Sequence, residues 1–209
     1  KREKAAVEAE AKKGELGRVA PGLPKISDGQ QLFVLNGLSK LVPSGKMAII
    51  LPHGFLFKKN NLEYEVRRDI VEKNYIEAVI GLPEKMFYNT KIPVIILVIN
   101  KSKKEKNVLF IDASRECKKQ RKNNILEEKN IKKIVETYQE RKTIQNYSNM
   151  VSLEEIEKND YDLNIKKYVD FYYEKEEIDT KKLRENIFEL EIKRKKIQGE
   201  IEKIIEKKD

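Results

Sequence analysis

Three short segments carry the side chains with which this chain could do chemistry, and each follows a run of apolar residues. They are Pro52-His53-Gly54, then Phe87-Tyr88-Asn89-Thr90, and a basic run with Lys118, Lys119, Arg121 and Lys122. A histidine can bind a ligand or carry a proton near neutral pH. An exposed aromatic ring can stack on a planar base, and clustered cations can bind phosphate. These residue types therefore indicate a ligand or nucleic-acid site.

Each segment also has an ordinary structural interpretation. His53 can be a turn histidine beside a glycine, and the rings of Phe87 and Tyr88 can cap the core. The basic run can be a solvated loop. On the residues alone the structural interpretation is favoured for the histidine and the rings, and neither interpretation is favoured for the basic run.

Metal centres and the common hydrolytic sites are not indicated. Cys117 is the only cysteine and His53 the only histidine, which argues against a disulfide, a zinc cluster or a multi-histidine metal site. There is no Gly-rich phosphate loop. Carboxylates are plentiful, but most are spaced with lysines as ion pairs on helix faces. We therefore expect no metal, and no acid–base pair is singled out.

The charge balance favours a polyanionic partner to a moderate degree. Lys plus Arg number 44 against 35 Asp plus Glu, a net charge of +9, and a basic surface of this kind attracts nucleic acid. No segment approaches the roughly 18 consecutive apolar residues of a membrane span. The first residues also lack the apolar centre of a signal peptide. A soluble cytoplasmic protein with no membrane partner is expected.

The segment Tyr75–Lys103 indicates how the aromatic loop is held. Two apolar runs, Ile76–Leu82 and Ile92–Ile99, flank that loop. The second run is apolar on both faces, which is typical of a central strand covered on both sides in a layered α/β sheet. A loop at the mouth of such a sheet is a usual place for a ligand site.

The remaining periodicities predict alternating helices and strands. The predicted elements are a helix ending near Val42, a strand Lys46–Leu51, a helix Asn61–Lys73 with Arg67 facing outward, a strand Asn107–Asp112, helices Ile125–Arg141 and Ser152–Lys158, and an edge strand or extended arm over Asp160–Val169. We divide the chain into an arm (1–24), the α/β part (25–114), a helical and extended part (115–175) and a tail (176–209).

The tail has the pattern of a helix that packs against another helix. Its apolar residues are spaced alternately by four and three, with Arg194 at one seam position; they are Leu183, Ile187, Leu190, Ile197, Ile201 and Ile204. This seam of about three heptads is typical of a coiled coil. We expect it to dock a partner helix.

Several separated segments together resemble a known family. They are GKMAIILPHGFLF (45–57), EYEVRRDIVEKNYIEAVIGLPEKMFYNTKIPVIILVINKSK (63–103), VLFIDAS (108–114) and NDYDLNIKKYV (159–169). They resemble the modification (M) subunit of type I restriction-modification systems, a family of N6-adenine DNA methyltransferases that use S-adenosyl-L-methionine. The resemblance implies a Rossmann-like, seven-stranded sheet. Lys46–Leu51, Ile76–Leu82 and Ile92–Ile99 would be its fifth, sixth and seventh strands, with the seventh antiparallel between the other two.

The same resemblance implies roles for the three segments. Phe87 falls where the family stacks an aromatic ring on a flipped-out adenine, which reverses the preference for a core cap. Tyr88, Asn89 and Thr90 would complete the adenine pocket, with Pro52-His53-Gly54 at its rim. The implied partners are DNA, to whose phosphates the basic run would bind, and the specificity and restriction subunits of the type I complex.

Two motifs of that family do not occur in these residues. The family binds its methyl donor at an acidic, Gly-rich turn and orients the adenine amine with an Asn-Pro-Pro-aromatic loop, whereas all six prolines here are isolated. We therefore expect the C-terminal half of a methyltransferase, without catalytic or cofactor-binding residues and inactive alone. The alternatives are a non-catalytic interaction module that docks through the heptad tail, and a basic DNA-binding module.

Overall fold

The computed structural model describes residues 29–59, 61–88, 90–169 and 180–205, together with residues 5, 8, 9 and 13. Most of the predicted arm 1–24 lies outside this part of the chain, and so does Asn89. The chain divides into two compact units, Lys1–Phe171 and Tyr172–Asp209.

The first unit is built on a five-stranded mixed sheet. Its strands are β1 (Lys46–Pro52), β2 (Ile76–Gly81), β3 (Val94–Asn100), β4 (Asn107–Asp112) and β5 (Ser148–Ser152). Their order across the sheet is β1-β3-β2-β4-β5. Strand β3 pairs antiparallel with β1 and with β2, β2 is parallel to β4, and β4 is antiparallel to β5. The prediction that Ile92–Ile99 inserts antiparallel between the other two strands is confirmed, because β3 lies between β1 and β2. The seven-stranded sheet stays a prediction, because the described residues form five strands.

Helices occupy both faces of this sheet. They are α1 (Gly29–Lys40), a 3-10 turn (His53–Leu56), α2 (Asn61–Glu72), α3 (Glu128–Glu140), α4 (Leu153–Lys158) and α5 (Ile165–Tyr168). Helix α3 begins three residues later than predicted because Ile125 pairs with Lys118 in a short β-bridge. The backbone N–H of Glu127 then donates to Oδ1 of Asn130, which closes the helix start.

Alternation along β3 divides the core between the two faces. Ile95, Leu97 and Ile99 are buried on the first face, with residues of α1, α2, α4 and α5. Ile96 and Val98 lie on the second face, whose core includes Ile134 of α3. The prediction of a strand apolar on both faces is confirmed for Val94–Ile99. Ile92 precedes the strand and is exposed, because the chain enters the sheet only after Pro93.

No strand forms over Asp160–Val169, so the edge-strand alternative is wrong. The alternation there reports burial instead: Tyr161, Leu163 and Ile165 all enter the first core. The segment then turns into α5, whose start is capped where Oδ1 of Asn164 accepts from the backbone N–H of Lys166. The actual edge strand is β5, which pairs with β4.

Arg67 is buried, contrary to the outward position predicted from its helical spacing. Main-chain carbonyls accept hydrogen bonds from its Nε and Nη1, which allows the guanidinium to be buried. Nε donates to the carbonyl of Tyr161 at 2.6 Å, and Nη1 donates to those of Phe55 and Lys58 at 3.3 and 3.0 Å. Arg67 therefore joins α2 to the turn after β1 and to the segment before α5.

The second unit contains one long helix, α6 (Thr180–Ile205). Of the predicted seam, Ile187, Leu190 and Ile197 are exposed, and so are the off-seam residues Phe188 and Ile192. The side chains of Leu183, Ile201 and Ile204 lie outside the described residues. The helix is confirmed, whereas its pairing with a partner stays a prediction. Among the described helices, none is both long enough and apolar enough to cross a bilayer.

Candidate functional site

One edge of the sheet gathers the three segments singled out in the sequence. Strands β1, β2 and β4 run in the same direction, since β3 is antiparallel to the first two and β2 is parallel to β4. Their carboxyl ends therefore share one edge. Pro52-His53-Gly54 follows β1, the aromatic loop follows β2, and the basic run belongs to the loop after β4. Ligands of open α/β sheets bind at such an edge.

The aromatic loop, residues 82–90, presents its two rings to solvent. Phe87 is 45% exposed and Tyr88 is 93% exposed, and neither belongs to the buried core. Phe87 pairs with Thr90 in an antiparallel bridge, and Oγ1 of Thr90 accepts from the backbone N–H of Ile92 at 3.1 Å. The core-cap interpretation does not fit these positions. The loop instead holds two aromatic surfaces outside the core.

The basic loop, residues 113–125, is fastened to the aromatic loop. The backbone N–H of Asn124 donates to the carbonyl of Lys85, and its side-chain amide donates to the carbonyl of Glu84, both at 2.9 Å. The other side of the basic loop is tied to α3, because Glu116 accepts from Asn130 and forms an ion pair with Lys133. The two loops thus form one connected surface.

Only part of the predicted phosphate-binding set carries uncompensated charge. Nζ of Lys118 lies 3.2 Å from a carboxylate oxygen of Glu127, so its charge is already paired. Lys119, Arg121 and Lys122 are exposed, and within the described ranges none of them forms an ion pair. These three side chains are the ones positioned to meet an anion.

His53 lies half-buried where β1 ends. Its backbone N–H donates to the carbonyl of Pro93 at 3.4 Å, which ties the turn to the start of β3. Burial lowers the pKa of the imidazole below its ordinary value; the Asp112 carboxylate opposes this shift and the Lys166 ammonium adds to it. The imidazole is therefore neutral at physiological pH.

Asp112 and Lys166 were missed by the sequence reasoning. Asp112 ends β4, is buried, and accepts a 2.8 Å hydrogen bond from the backbone N–H of Ser114. The sequence could have indicated Asp112, because it is an acidic residue at the carboxyl end of a strongly apolar strand. Nothing in the sequence indicated Lys166, because its approach to His53 depends on α5, which packs Ile165 against Gly81 at the same edge.

Comparison with known proteins decides the family. The family model described as N-6 DNA Methylase matches residues 6–177. The chain belongs to the N-6 DNA methylase family. This match covers the sheet, both core layers and all three segments at the carboxyl edge.

Individual relatives of this family member are subunits of type I restriction enzymes. The chain is 45% identical over 162 residues to the MjaVII methylase subunit of Methanocaldococcus jannaschii, covering 75% of this chain and 28% of the relative. It is 36% identical over 193 residues to the MpnII methylase subunit of Mycoplasma pneumoniae, covering 92% and 35%. The chain thus spans about a third of the length of these relatives.

A solved structure gives the same result. The methyltransferase subunit of a type I restriction-modification system from Streptococcus thermophilus superimposes with a TM-score of 0.71 at 40% identity, over 73% of this chain and 33% of that one. The five-stranded mixed sheet therefore corresponds to part of a methyltransferase subunit.

The residues at the carboxyl edge do not fit a methyl-donor site of the kind the resemblance implies. That site needs a carboxylate within a Gly-rich turn. The turns after β1 and β2 read PHGF and LPEKMFYNT, and the one after β4 reads ASREC. Among the described residues at the carboxyl ends of β1, β2 and β4, the only carboxylate is that of Asp112, which is buried and bonded to its own turn.

Proposed function

We propose that this chain supplies the adenine-facing wall of an adenine-specific DNA methyltransferase in a type I restriction-modification system. The observation that carries this proposal is the exposure of Phe87 and Tyr88 on a loop fixed at the carboxyl edge of the sheet. Enzymes that modify a base in duplex DNA extrude it and stack it on aromatic or apolar side chains. The family and the relatives support this assignment.

Within this proposal each segment has a separate task. Phe87 stacks on the extruded adenine, and Tyr88, Asn89 and Thr90 complete the adenine pocket, with Pro52-His53-Gly54 at its rim. The cations Lys119, Arg121 and Lys122 bind the phosphates beside the extruded nucleotide. His53 is a neutral rim residue, since burial lowers the pKa of its imidazole.

Methyl transfer to the amine depends on positioning more than on a general base. The 209 residues contain neither the Asn-Pro-Pro-aromatic loop nor the donor-binding turn. We therefore propose that the 209-residue chain by itself neither binds S-adenosyl-L-methionine nor transfers a methyl group. Both functions would require the whole methyltransferase subunit.

The tail supports an assembly role alongside this one. Ile187, Leu190 and Ile197 form an exposed apolar stripe on α6, and a helix with such a narrow stripe gains most of its stability from packing. We assign the stripe to a helix of the specificity subunit. The alternative of an interaction module is thus included in the proposal, because the tail can dock while the first unit faces DNA.

Photocrosslinking tests the proposal directly. A duplex with 5-iodouracil in place of the target adenine is irradiated with the full methyltransferase complex, and the crosslinked peptide is identified by mass spectrometry. We expect attachment within residues 82–90, and none when the label lies ten base pairs away. Attachment only outside that loop would contradict the assignment.

Calorimetry tests the donor statement separately. S-adenosyl-L-methionine is titrated into the 209-residue chain, with the full subunit as the positive control. We expect heat of binding only from the full subunit. Tight binding to the 209-residue chain would show that the donor site lies within it.

A further inference from the structure

Asn124 differs from the residues around it. Arg121 and Lys122 are exposed and Asn123 is half-exposed, whereas Asn124 is buried. It lies two residues after the basic run, and it donates hydrogen bonds from the basic loop to the aromatic loop.

Two hydrogen bonds from this one residue reach consecutive carbonyls of the aromatic loop. The backbone N–H of Asn124 donates to Lys85 and the side-chain amide donates to Glu84, each at 2.9 Å. Lys85 has a positive φ of 56°, a conformation that is uncommon for a residue other than glycine. The bonds from Asn124 hold the backbone in this conformation two residues before Phe87.

We propose that Asn124 is a positioning residue that sets the orientation of Phe87 and couples it to phosphate binding by the basic loop. This proposal rests on the proposed function and adds a residue to it. A phosphate bound by Lys119, Arg121 or Lys122 orders the basic loop. Because Asn124 belongs to this loop and donates to two carbonyls of the aromatic loop, the aromatic loop is ordered with it. Stacking of the base on Phe87 and binding of the DNA phosphate by the basic loop are then formed together.

Fluorescence of 2-aminopurine at the target position tests the coupling in the full methyltransferase complex. Asn124→Ala removes the side-chain bond and keeps the backbone bond. Loss of one neutral hydrogen bond corresponds to about a 5-fold change in the equilibrium constant for stacking. We expect a smaller fluorescence change on binding, and a duplex affinity that is lower by no more than about 5-fold because the coupling is reciprocal. Asn123→Ala is the matched control and should behave as wild type.

The outcomes separate this inference from the proposed function. If wild type and Asn123→Ala give the signal and Asn124→Ala gives it equally, the positioning role is wrong and the proposed function stands. If wild type gives no signal, the proposed stacking is wrong and the inference falls with it.

Hydrogen exchange measured without DNA shows whether Asn124→Ala has a general folding defect. We expect faster exchange at the backbone amide of residue 124, which donates to the carbonyl of Lys85, and unchanged exchange in β2 and β4. Equal acceleration throughout β2 and β4 would show a merely structural residue, and no acceleration would show that Asn124 does not hold the loop. Either result would overturn the proposal.

Discussion

The guanidinium of Arg67 donates a 2.6 Å hydrogen bond from Nε to the main-chain carbonyl of Tyr161, ninety-four residues further along the chain. The same buried group donates to the carbonyls of Phe55 and Lys58. One side chain of α2 therefore fixes the turn that carries His53 and the segment that leads into α5. The rim of the candidate site depends on an interior charge rather than on apolar packing alone.

Replacing Arg67 by Met should destabilise the first unit strongly. The change leaves three main-chain carbonyls without their donor, and the two buried ones, of Tyr161 and Phe55, cost about 1–3 kcal/mol each when unsatisfied. Urea unfolding of the variant measures this loss. Arg68→Met is the matched control, because Arg68 is exposed and pairs with Glu72 on the helix surface, where an ion pair adds little to stability. Equal losses in the two variants would contradict the role of Arg67.

His53 should titrate below its ordinary pKa of 6.5, because burial disfavours the imidazolium. It is the only histidine, so one imidazole signal in the NMR spectrum reports it directly. The folded state binds this proton less readily than the unfolded state. Stability linked to His53 is therefore present above pH 6.5 and is lost as the pH falls from 6.5 toward the folded pKa. A measured pKa at or above 6.5 would contradict the burial.

Two neighbouring charges should move that pKa in opposite directions. Asp112→Asn removes the carboxylate that opposes the shift, so the His53 pKa should fall further. Lys166→Gln removes an ammonium that disfavours protonation, so the pKa should rise. The same NMR titration measures both. If neither substitution changes the pKa, the three groups do not face one another at this edge.

Lys119 and Lys122 should contribute to DNA affinity through phosphate contacts. The double variant Lys119→Gln/Lys122→Gln should weaken duplex binding by the full complex and reduce the slope of log affinity against log salt by up to about 1.8. Lys104→Gln/Lys106→Gln removes the same charge from the opposite edge of the sheet, between β3 and β4, and should leave the slope unchanged. Equal effects of the two double variants would indicate a general charge effect instead of a site.

Ile197 should be required for docking of the tail. Ile197→Asp places a charge on the seam, where a partner helix would bury it, and should abolish association with the specificity subunit in sedimentation. Ile192→Asp makes the same change off the seam, at an isoleucine of similar exposure, 53% against 56%, and should preserve association. Dissociation caused by both variants or by neither would show that the seam is not the docking face.

The sequence predicted the central part of the fold because its strands are strongly apolar. The paired runs around Phe87 could be read directly, since a strand apolar on both faces has few alternative placements. Strand β5 was missed because its sequence, SNMVS, is mostly polar. It forms a strand because it pairs with the free edge of β4, a long-range contact that the local sequence does not show.

Arg67 and Asn124 show the same limit for the site. Helical spacing places Arg67 on the side of α2 that the sequence reasoning took as solvent-facing, and only the return of the chain at Tyr161 covers it. Asn124 looks like the end of a polar loop until its contacts with Glu84 and Lys85 are seen. Residue types predicted which segments could bind ligands, whereas the contacts between those segments depend on the three-dimensional chain path.

The proposed adenine-facing role of Phe87 is tested most directly by single-turnover methyl transfer with the full methyltransferase complex. Base stacking on an aromatic ring is worth about 1–3 kcal/mol, so Phe87→Ala should slow transfer by about 5- to 150-fold. Phe87→Trp keeps a ring and should stay within a few-fold of wild type. Phe33→Ala, at an exposed ring on α1, should have no effect. Transfer by Phe87→Ala at the wild-type rate would contradict the account.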